Sequence, residues 1–238
     1  MFEWTKEQLC FRKAAAEYNR FEEHLAEALL PYLPAGAHIC DAGCGTGHLS
    51  LALAERGYPV TAVDICPDAL SILRQNAQAR GLNNIQIIEG DLFAMQPPQP
   101  YDAMVFCFFG NLAETLQAVS SQCRGRVILV KKAWQTRRFT TKEQPLRRFT
   151  FRLTCEELEA RGIPYEKKIV SLETGQPFRS RAEAERFFAL YEKETPPDRQ
   201  TIRERLLRTD SPEFPYYLPS CGEVGILVIE TGDIPGHR

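Results

Sequence analysis

Asp41-Ala42-Gly43-Cys44-Gly45-Thr46-Gly47 is the stretch that decides the fold. It completes a short apolar strand over residues 37–42 and leads into a helix from about residue 48 to residue 56. A strand, a glycine bend and a helix, in that order, begin a βαβ unit. Glycines at the bend permit a tight turn and let a ligand approach the backbone closely. Unpaired amides at the helix start then face a polar or anionic group.

Outward from the bend, strand and helix signals alternate. Gly57 stops the helix as a C-cap residue, and residues 60–64 form a second buried strand. Pro67-Asp68 opens a third helix that runs to Arg80 and closes at Gly81. Further apolar strands are predicted over residues 85–88, 101–107 and 126–130. Upstream, apolar positions at Leu9, Phe11, Ala14, Phe21, Leu25 and Leu29 predict helix over 6–33, ended by Pro34-Ala35-Gly36. Such alternation indicates an α/β fold with a largely parallel sheet. Continuously apolar strands suit a sheet covered on both faces.

Beyond residue 130 the chain turns polar. A short helix is predicted at 154–161, strands at 166–172 and 223–229, helices at 180–193 and 199–208, and a Pro- and Tyr-rich loop at 210–220. Residues 178–220 read as a helical lid insertion, too short and too charged to bury a core of their own. The remaining organisation is a single domain: an N-terminal helical segment over 1–33, and a core sheet from 34–177 and 221–231.

Composition sets the outer bounds. The 238 residues are 44% hydrophobic and 25% charged, and the net charge of -2 excludes a polycation that coats nucleic acid. No apolar run of about 18 residues is present, so no membrane span is expected, and the N-terminus lacks a signal-peptide layout. The eight cysteines form no C-x-x-C pair, and His24, His38, His48 and His237 show no metal-ligand spacing with them. Reduced thiols, a cytoplasmic location and no metal are the expectation.

Two acidic residues align with the glycine bend. Asp64 ends the second strand, about twenty residues on, where a carboxylate can accept both hydroxyls of a ribose. Asp91 follows the third strand in Glu89-Gly90-Asp91-Leu92-Phe93, placed to reach an adenine amino group. The alternative is that each carboxylate caps its own turn. G-x-G bends also bind nicotinamide and flavin cofactors, but here the spacing is G-x-G-x-G and an acidic residue precedes it. The set resembles the class I S-adenosylmethionine (SAM)-dependent methyltransferase family: Asp41–Gly47 as its first motif, Val63-Asp64-Ile65 as its second and Gly90-Asp91-Leu92 as its third.

The resemblance spans roughly residues 30–130 and the closing strand, and implies a Rossmann-like, mostly parallel seven-stranded sheet with helices on both faces. It also implies SAM as cofactor. Gly43 and Gly45 would lie under its methionine, and Asp41 would help hold the amino group. Asp64 would take the ribose hydroxyls, with Ile65 against the adenine; Asp91 would contact the adenine amine and Leu92 its ring. Phe106 and Cys107 would flank the methionine and face the acceptor.

On the acceptor side, methyltransferases that act on amide or nucleobase nitrogens commonly end strand four in Asn-Pro-Pro-Tyr. Here Cys107-Phe108-Phe109-Gly110 stands there, which disfavours that class. Phe108 and Phe109 either wall an acceptor pocket or pack the core. Residues 124–152 are basic, with ten Lys and Arg against Glu143 alone, and Phe139, Phe149 and Phe151 between them would suit RNA stacking. The bland alternative is a solvated hairpin paired with acidic helices. The lid would offer Tyr216, Tyr217 and Pro219, and Lys131 or a tyrosine could act as general base. The leading expectation is methyl transfer to a small-molecule acceptor; the alternatives are an RNA or protein methyltransferase using 124–152, or a SAM-binding protein without activity.

Overall fold

The computed structural model describes residues 5–134, 139, 150–192 and 196–236. Its main sheet has seven strands: β1 (Ile39–Ala42), β2 (Val60–Asp64), β3 (Ile85–Glu89), β4 (Tyr101–Cys107), β5 (Cys123–Lys132), β6 (Glu166–Glu173) and β10 (Cys221–Glu230). Their order is β3-β2-β1-β4-β5-β10-β6, with β10 antiparallel to both neighbours and the other pairings parallel. The strand order reverses between β1 and β4, which pair from Ile39↔Ala103 to Ala42↔Phe106. At such a switch point the carboxyl ends of the strands open a crevice.

Helices α3 (His48–Glu55) and α4 (Pro67–Ala79) make the first two crossovers. β1 is buried along its whole length, and β2 at all but Asp64, because helices cover both faces. One apolar layer gathers Leu25, Leu29, Ile39, Leu53 and Ile128; the other gathers Met104, Phe106, Val119 and Leu129.

The N-terminal helical segment is not one helix. It breaks into α1 (Lys6–Asn19) and α2 (Phe21–Leu29) at Arg20, whose backbone is left-handed with φ 52°. The break lets each helix bury a different face. Phe11 of α1 packs with Phe178 and Phe187, while Leu25 and Leu29 of α2 join the main core. Apolar spacing continues across Arg20, so periodicity could not reveal it.

Helix α5 (Leu112–Gln122) had no counterpart among the predicted elements. Its buried stripe includes Thr115 and Gln122, which blurred the pattern. Its start is nonetheless written in Asn111-x-x-Glu114: the Asn111 side chain accepts from Glu114 N at 2.9 Å, and the Glu114 carboxylate accepts from Asn111 N at 3.2 Å. β5 follows at once, three residues earlier than predicted, and α6 (Phe151–Ala160) starts at Phe151 because Thr150 caps it.

The insertion departs most from expectation. Helix α7 (Arg181–Tyr191) forms as predicted in kind, but α8 (Arg199–Arg205) stops early because Leu207–Arg208 becomes strand β8. The predicted 210–220 loop contains β9 (Tyr216–Leu218), which pairs with β8 and with β7 (Gln176–Phe178) in a three-stranded sheet. This segment does bury a core: Phe178, Ala184, Phe187, Phe188, Ile202 and Leu218, completed by Phe11 from α1. The missing apolar area comes from a helix 165 residues away, as the Gln176 Nε2 bond to Phe11 O also shows.

Candidate active site

The carboxyl ends of β1, β2 and β4 meet at the glycine bend. Asp64 fastens it: Oδ2 accepts from Gly45 N at 2.8 Å and Oδ1 from Cys66 N at 2.9 Å. The second bond closes a turn just before α4, so Asp64 serves its own turn as well as the bend. Each oxygen keeps a further lone pair for a hydroxyl donor. Asp91 closes its own turn, accepting from Phe93 N at 2.9 Å, and Gly90 N donates to Asp64 O at 3.0 Å. One backbone bond thus joins the second and third motifs.

The two glycines of the bend differ. A Cβ on Gly43 (φ 66°) would lie 2.4 Å from the Phe109 ring, so Gly43 is needed for packing. A Cβ on Gly45 (φ 55°) would meet nothing within 4 Å, which leaves its face open to a ligand.

Asp41 is 1% exposed. Its Oδ2 accepts from Ser50 Oγ at 2.6 Å, while Oδ1 is buried with no partner among the described residues. Burial pushes this carboxyl up to about 6; the Ser50 hydrogen bond opposes the rise, and the charges of Asp64 and Glu22 add to it. His48, at the start of α3, shares a 2.9 Å hydrogen bond with Thr46 Oγ1 through Nδ1, and its buried Nε2 is unpartnered. Burial drives the imidazole down to about 4, with the Glu22 carboxylate opposing. Glu22 of α2, 3% exposed, bonds Arg12 of α1 through Oε1; Oε2 is buried and unpartnered. Sequence reasoning missed Glu22, Arg12 and His48. The usable signal was a glutamate on the buried stripe Phe21, Glu22, Leu25, Ala26, Leu29.

The other candidate positions divide by exposure. Ile65 is 41% exposed beside Asp64. Leu92 and Phe106 are instead buried in the layer beneath the site, behind the surface a ligand would touch. The Asp91 turn points Leu92 inward, and the exposed aromatic there is Phe93, which stacks on Phe109 at 5.5 Å. Cys107 is half-buried, its thiol pushed up by burial with Asp41 and Glu22 adding.

Phe108 and Phe109 part ways. Phe109 packs between Phe93 and Phe106 over Gly43. Phe108 takes a left-handed backbone, φ 54°, and is 38% exposed, stacked on Phe21 at 6.2 Å and tilted against Trp134 at 6.1 Å. A bulky side chain at such φ carries strain. The loop is braced by Lys131, which is buried and donates from Nζ to Phe109 O at 3.1 Å and Gly110 O at 2.9 Å. Burial lowers this amine to about 8, with Cys107, Glu157 and Glu114 opposing. Lys131 is therefore tied to the loop rather than presented as a base. Tyr217 is likewise occupied, its hydroxyl engaged with Glu173 and with Asn19 Oδ1 at 3.0 Å.

The basic segment does not form one patch among the described residues. Arg124 pairs with Asp102, Arg126 with Glu230 and Arg152 with Glu156, not with helices near 183–194. Arg124 and Lys132 stand near opposite ends of β5, about 26 Å apart at strand rise. Arg137, Arg138, Lys142, Arg147, Arg148 and Phe149 lie outside the described residues.

Residues 33–179 match the family described as a methyltransferase domain. The chain belongs to the class I SAM-dependent methyltransferases. Its fold is that of magnesium protoporphyrin IX methyltransferase from Synechocystis PCC 6803, solved with bound SAM (TM-score 0.51, 16% identity, 96% of this chain and 86% of that one). A stretch of 72 residues is 44% identical to the ubiquinone biosynthesis O-methyltransferase of Xylella fastidiosa strain 9a5c, covering 29% of this chain and 28% of that protein. Another of 66 residues is 42% identical to a 23S rRNA (uracil(1939)-C(5))-methyltransferase of Shewanella sp. strain MR-4, covering 28% of this chain and 15% of that protein. Each match thus spans less than a third of the curated relative. Among the described residues, no helix of this methyltransferase is long and apolar enough to cross a membrane.

Proposed function

We propose that this chain transfers the methyl group of SAM to a small-molecule acceptor. One side chain carries the cofactor part: Asp41, a buried carboxylate with Oδ1 unpartnered, beside an open Gly45. A buried acceptor-only atom is costly until a donor reaches it, and the SAM ammonium is such a donor. The rest of the bend fits the same ligand. Asp64 would take the ribose hydroxyls, Ile65 and Asp91 the adenine, and Gly45 the close backbone approach. Gly43, Leu92 and Phe106 would shape the floor, and Cys107 would stand at the edge shared with the acceptor.

When bound, SAM supplies an electrophilic methyl group on a sulfonium. The chain's own residues would orient the two partners and keep water away, which can carry much of the rate of an in-line displacement. Coverage of the site supports a small acceptor. α1 crosses from the insertion, through Phe11, to the corner where Arg12 meets Glu22. We infer that residues 178–220 are the lid on that side. The name of the Xylella relative fits a small acceptor and that of the Shewanella relative fits RNA. The ion pairs that occupy Arg124 and Arg126, with Asp102 and Glu230, favour the first. Cys40, Cys123 and Cys155, buried as thiols, support a cytoplasmic setting.

Calorimetry with SAM tests the cofactor site: Asp64→Ala should weaken binding by about 1–3 kcal/mol, as when ribose hydroxyls lose a charged partner. Methyl-labelled SAM with a fractionated cell extract tests the acceptor. Label in the low-molecular-weight fraction is the expected result; label confined to RNA or protein would overturn the small-molecule reading.

A further inference from the structure

Five buried side-chain polar atoms lack partners among the described residues; two, Thr115 Oγ1 and Gln122 Oε1, lie on α5, and the other three belong to one corner: Asp41 Oδ1 at the end of β1, His48 Nε2 at the start of α3, and Glu22 Oε2 at the start of α2. Phe21, the neighbour of Glu22, stacks on Phe108 just past β4, which sets the start of α2 over the crevice between β1 and β4. The same helix packs on α3 through Leu25, Leu49 and Leu53. Glu22 is close enough for its charge to act on Asp41, on His48 and on Cys107. Native folds rarely leave such atoms unsatisfied, and three together need an explanation.

The chemistry of the corner is specific. Two carboxylate oxygens can only accept hydrogen bonds while ionised, an imidazole nitrogen can donate or accept, and the Arg12 guanidinium on Glu22 can only donate. Acceptors for an ammonium and donors for a carboxylate, side by side, match an amino-acid zwitterion.

We propose that Glu22 is a second carboxylate for the methionine ammonium of the cofactor, opposite Asp41, so that helix α2 closes the amino-acid end of the site. The proposal rests on the SAM reading of Asp41 and extends it to a residue outside the core sheet. Arg12 holds Glu22 Oε1 and so aims the carboxylate, and with His48 faces the methionine carboxylate. Helices α1 and α2 would then be ordered by the amino-acid half of the cofactor rather than by its adenosine.

Two ligands separate these claims: S-adenosylhomocysteine, which has the amino-acid end, and 5′-methylthioadenosine, which lacks it. Calorimetry on the wild type and on Glu22→Gln should show S-adenosylhomocysteine weakened about tenfold or more, with 5′-methylthioadenosine unchanged. Equal losses for both ligands, or no loss for either, would overturn the role of Glu22 while leaving the adenosine site intact. Failure of both ligands to bind the wild type would overturn the SAM reading itself. Should Glu22→Gln not fold, hydrogen exchange on the wild type decides. S-adenosylhomocysteine should slow the amides of residues 20–26 more than saturating 5′-methylthioadenosine does, and equal protection would refute the closure by α2.

Discussion

Candidate site residues are fixed in two different ways on the two sides of the switch point. Between β1 and β3 each acidic side chain is set by nearby chain: Asp41 by Ser50, Asp64 by Gly45 and Cys66, Asp91 by Phe93. Across β4 and β5 Lys131 braces the 109–110 carbonyls from the neighbouring strand, and other restraints come from far away: Phe21 backs Phe108, and Tyr217 reaches Asn19 across 198 residues. The glycine bend with its carboxylates, the proposed cofactor side, is locally encoded, and the proposed acceptor side is assembled. A change on the first side should therefore act on binding alone unless it disturbs packing, whereas a change on the second should spread into stability.

The sharpest way to break this contrast is within the bend. Gly43→Ala places a Cβ 2.4 Å from the Phe109 ring at positive φ, joining the two sides by a clash. Strain and overpacking together should cost about 3 kcal/mol of stability. Gly45→Ala meets nothing within 4 Å and should cost only about 1 kcal/mol, while weakening SAM. Denaturant unfolding of both variants checks this; equal losses of stability would erase the distinction between a packing glycine and a ligand glycine.

Lys131 probes the assembled side. Its amine is lowered from 10.5 to about 8, so the folded state binds its proton less tightly than the unfolded chain does. The charged form is penalised at and below pH 8, and stability should rise as pH goes from about 8 to about 10.5. The gap sets an upper limit of about 3 kcal/mol. Unfolding of the wild type and of Lys131→Met at pH 7 and pH 10 isolates this group. The wild type should gain relative to the variant; no relative gain would mean that Lys131 is not buried against the loop.

Asp41 gives a smaller effect, confined to binding. With its carboxyl at about 6, the side chain takes up a proton as pH falls through 6 and ceases to pair with an ammonium. SAM affinity should fall about tenfold between pH 7.5 and pH 5, and Asp41→Asn should flatten that dependence. The facing groups are Ser50, Asp64 and Glu22, and His48, lowered to about 4, stays neutral across the window. An unchanged slope in Asp41→Asn would assign the titration elsewhere.

The same division explains what could be read from the chain. The order of β1 to β5, and the meeting of Asp64 with the glycine bend, were legible because each depends on apolar runs and turn residues within about twenty positions. Leu92 and Phe106 were placed by family resemblance, yet their side chains lie in the core: a motif position states where the backbone passes, not which way a side chain turns. α5 and the α1–α2 break were lost where polar residues sat on a buried stripe or an apolar stripe ran through a kink. β8, β9 and the small core of the insertion were illegible because Phe11 and Phe178 complete one another across 167 positions.

The smallest effect separates an assembled pocket from an open electrostatic surface. Arg124 and Arg152 are largely exposed, and their pairs with Asp102 and Glu156 sit in solvent. Exposed pairs contribute about 0.2–1 kcal/mol, so Arg124→Ala and Arg152→Ala should each change stability by about 0.5 kcal/mol or less. Were the 124–152 segment an RNA track, each lost phosphate contact would lower the slope of log affinity against log salt by about one. If the acceptor binds under α1 and residues 178–220 as proposed, neither substitution should alter that slope for a structured RNA titrated between 50 and 200 mM salt, about the range where such contacts act. A slope that falls in both variants would show the two distant cations reading one polyanion, and the division between a local cofactor side and a covered acceptor side would have to be redrawn.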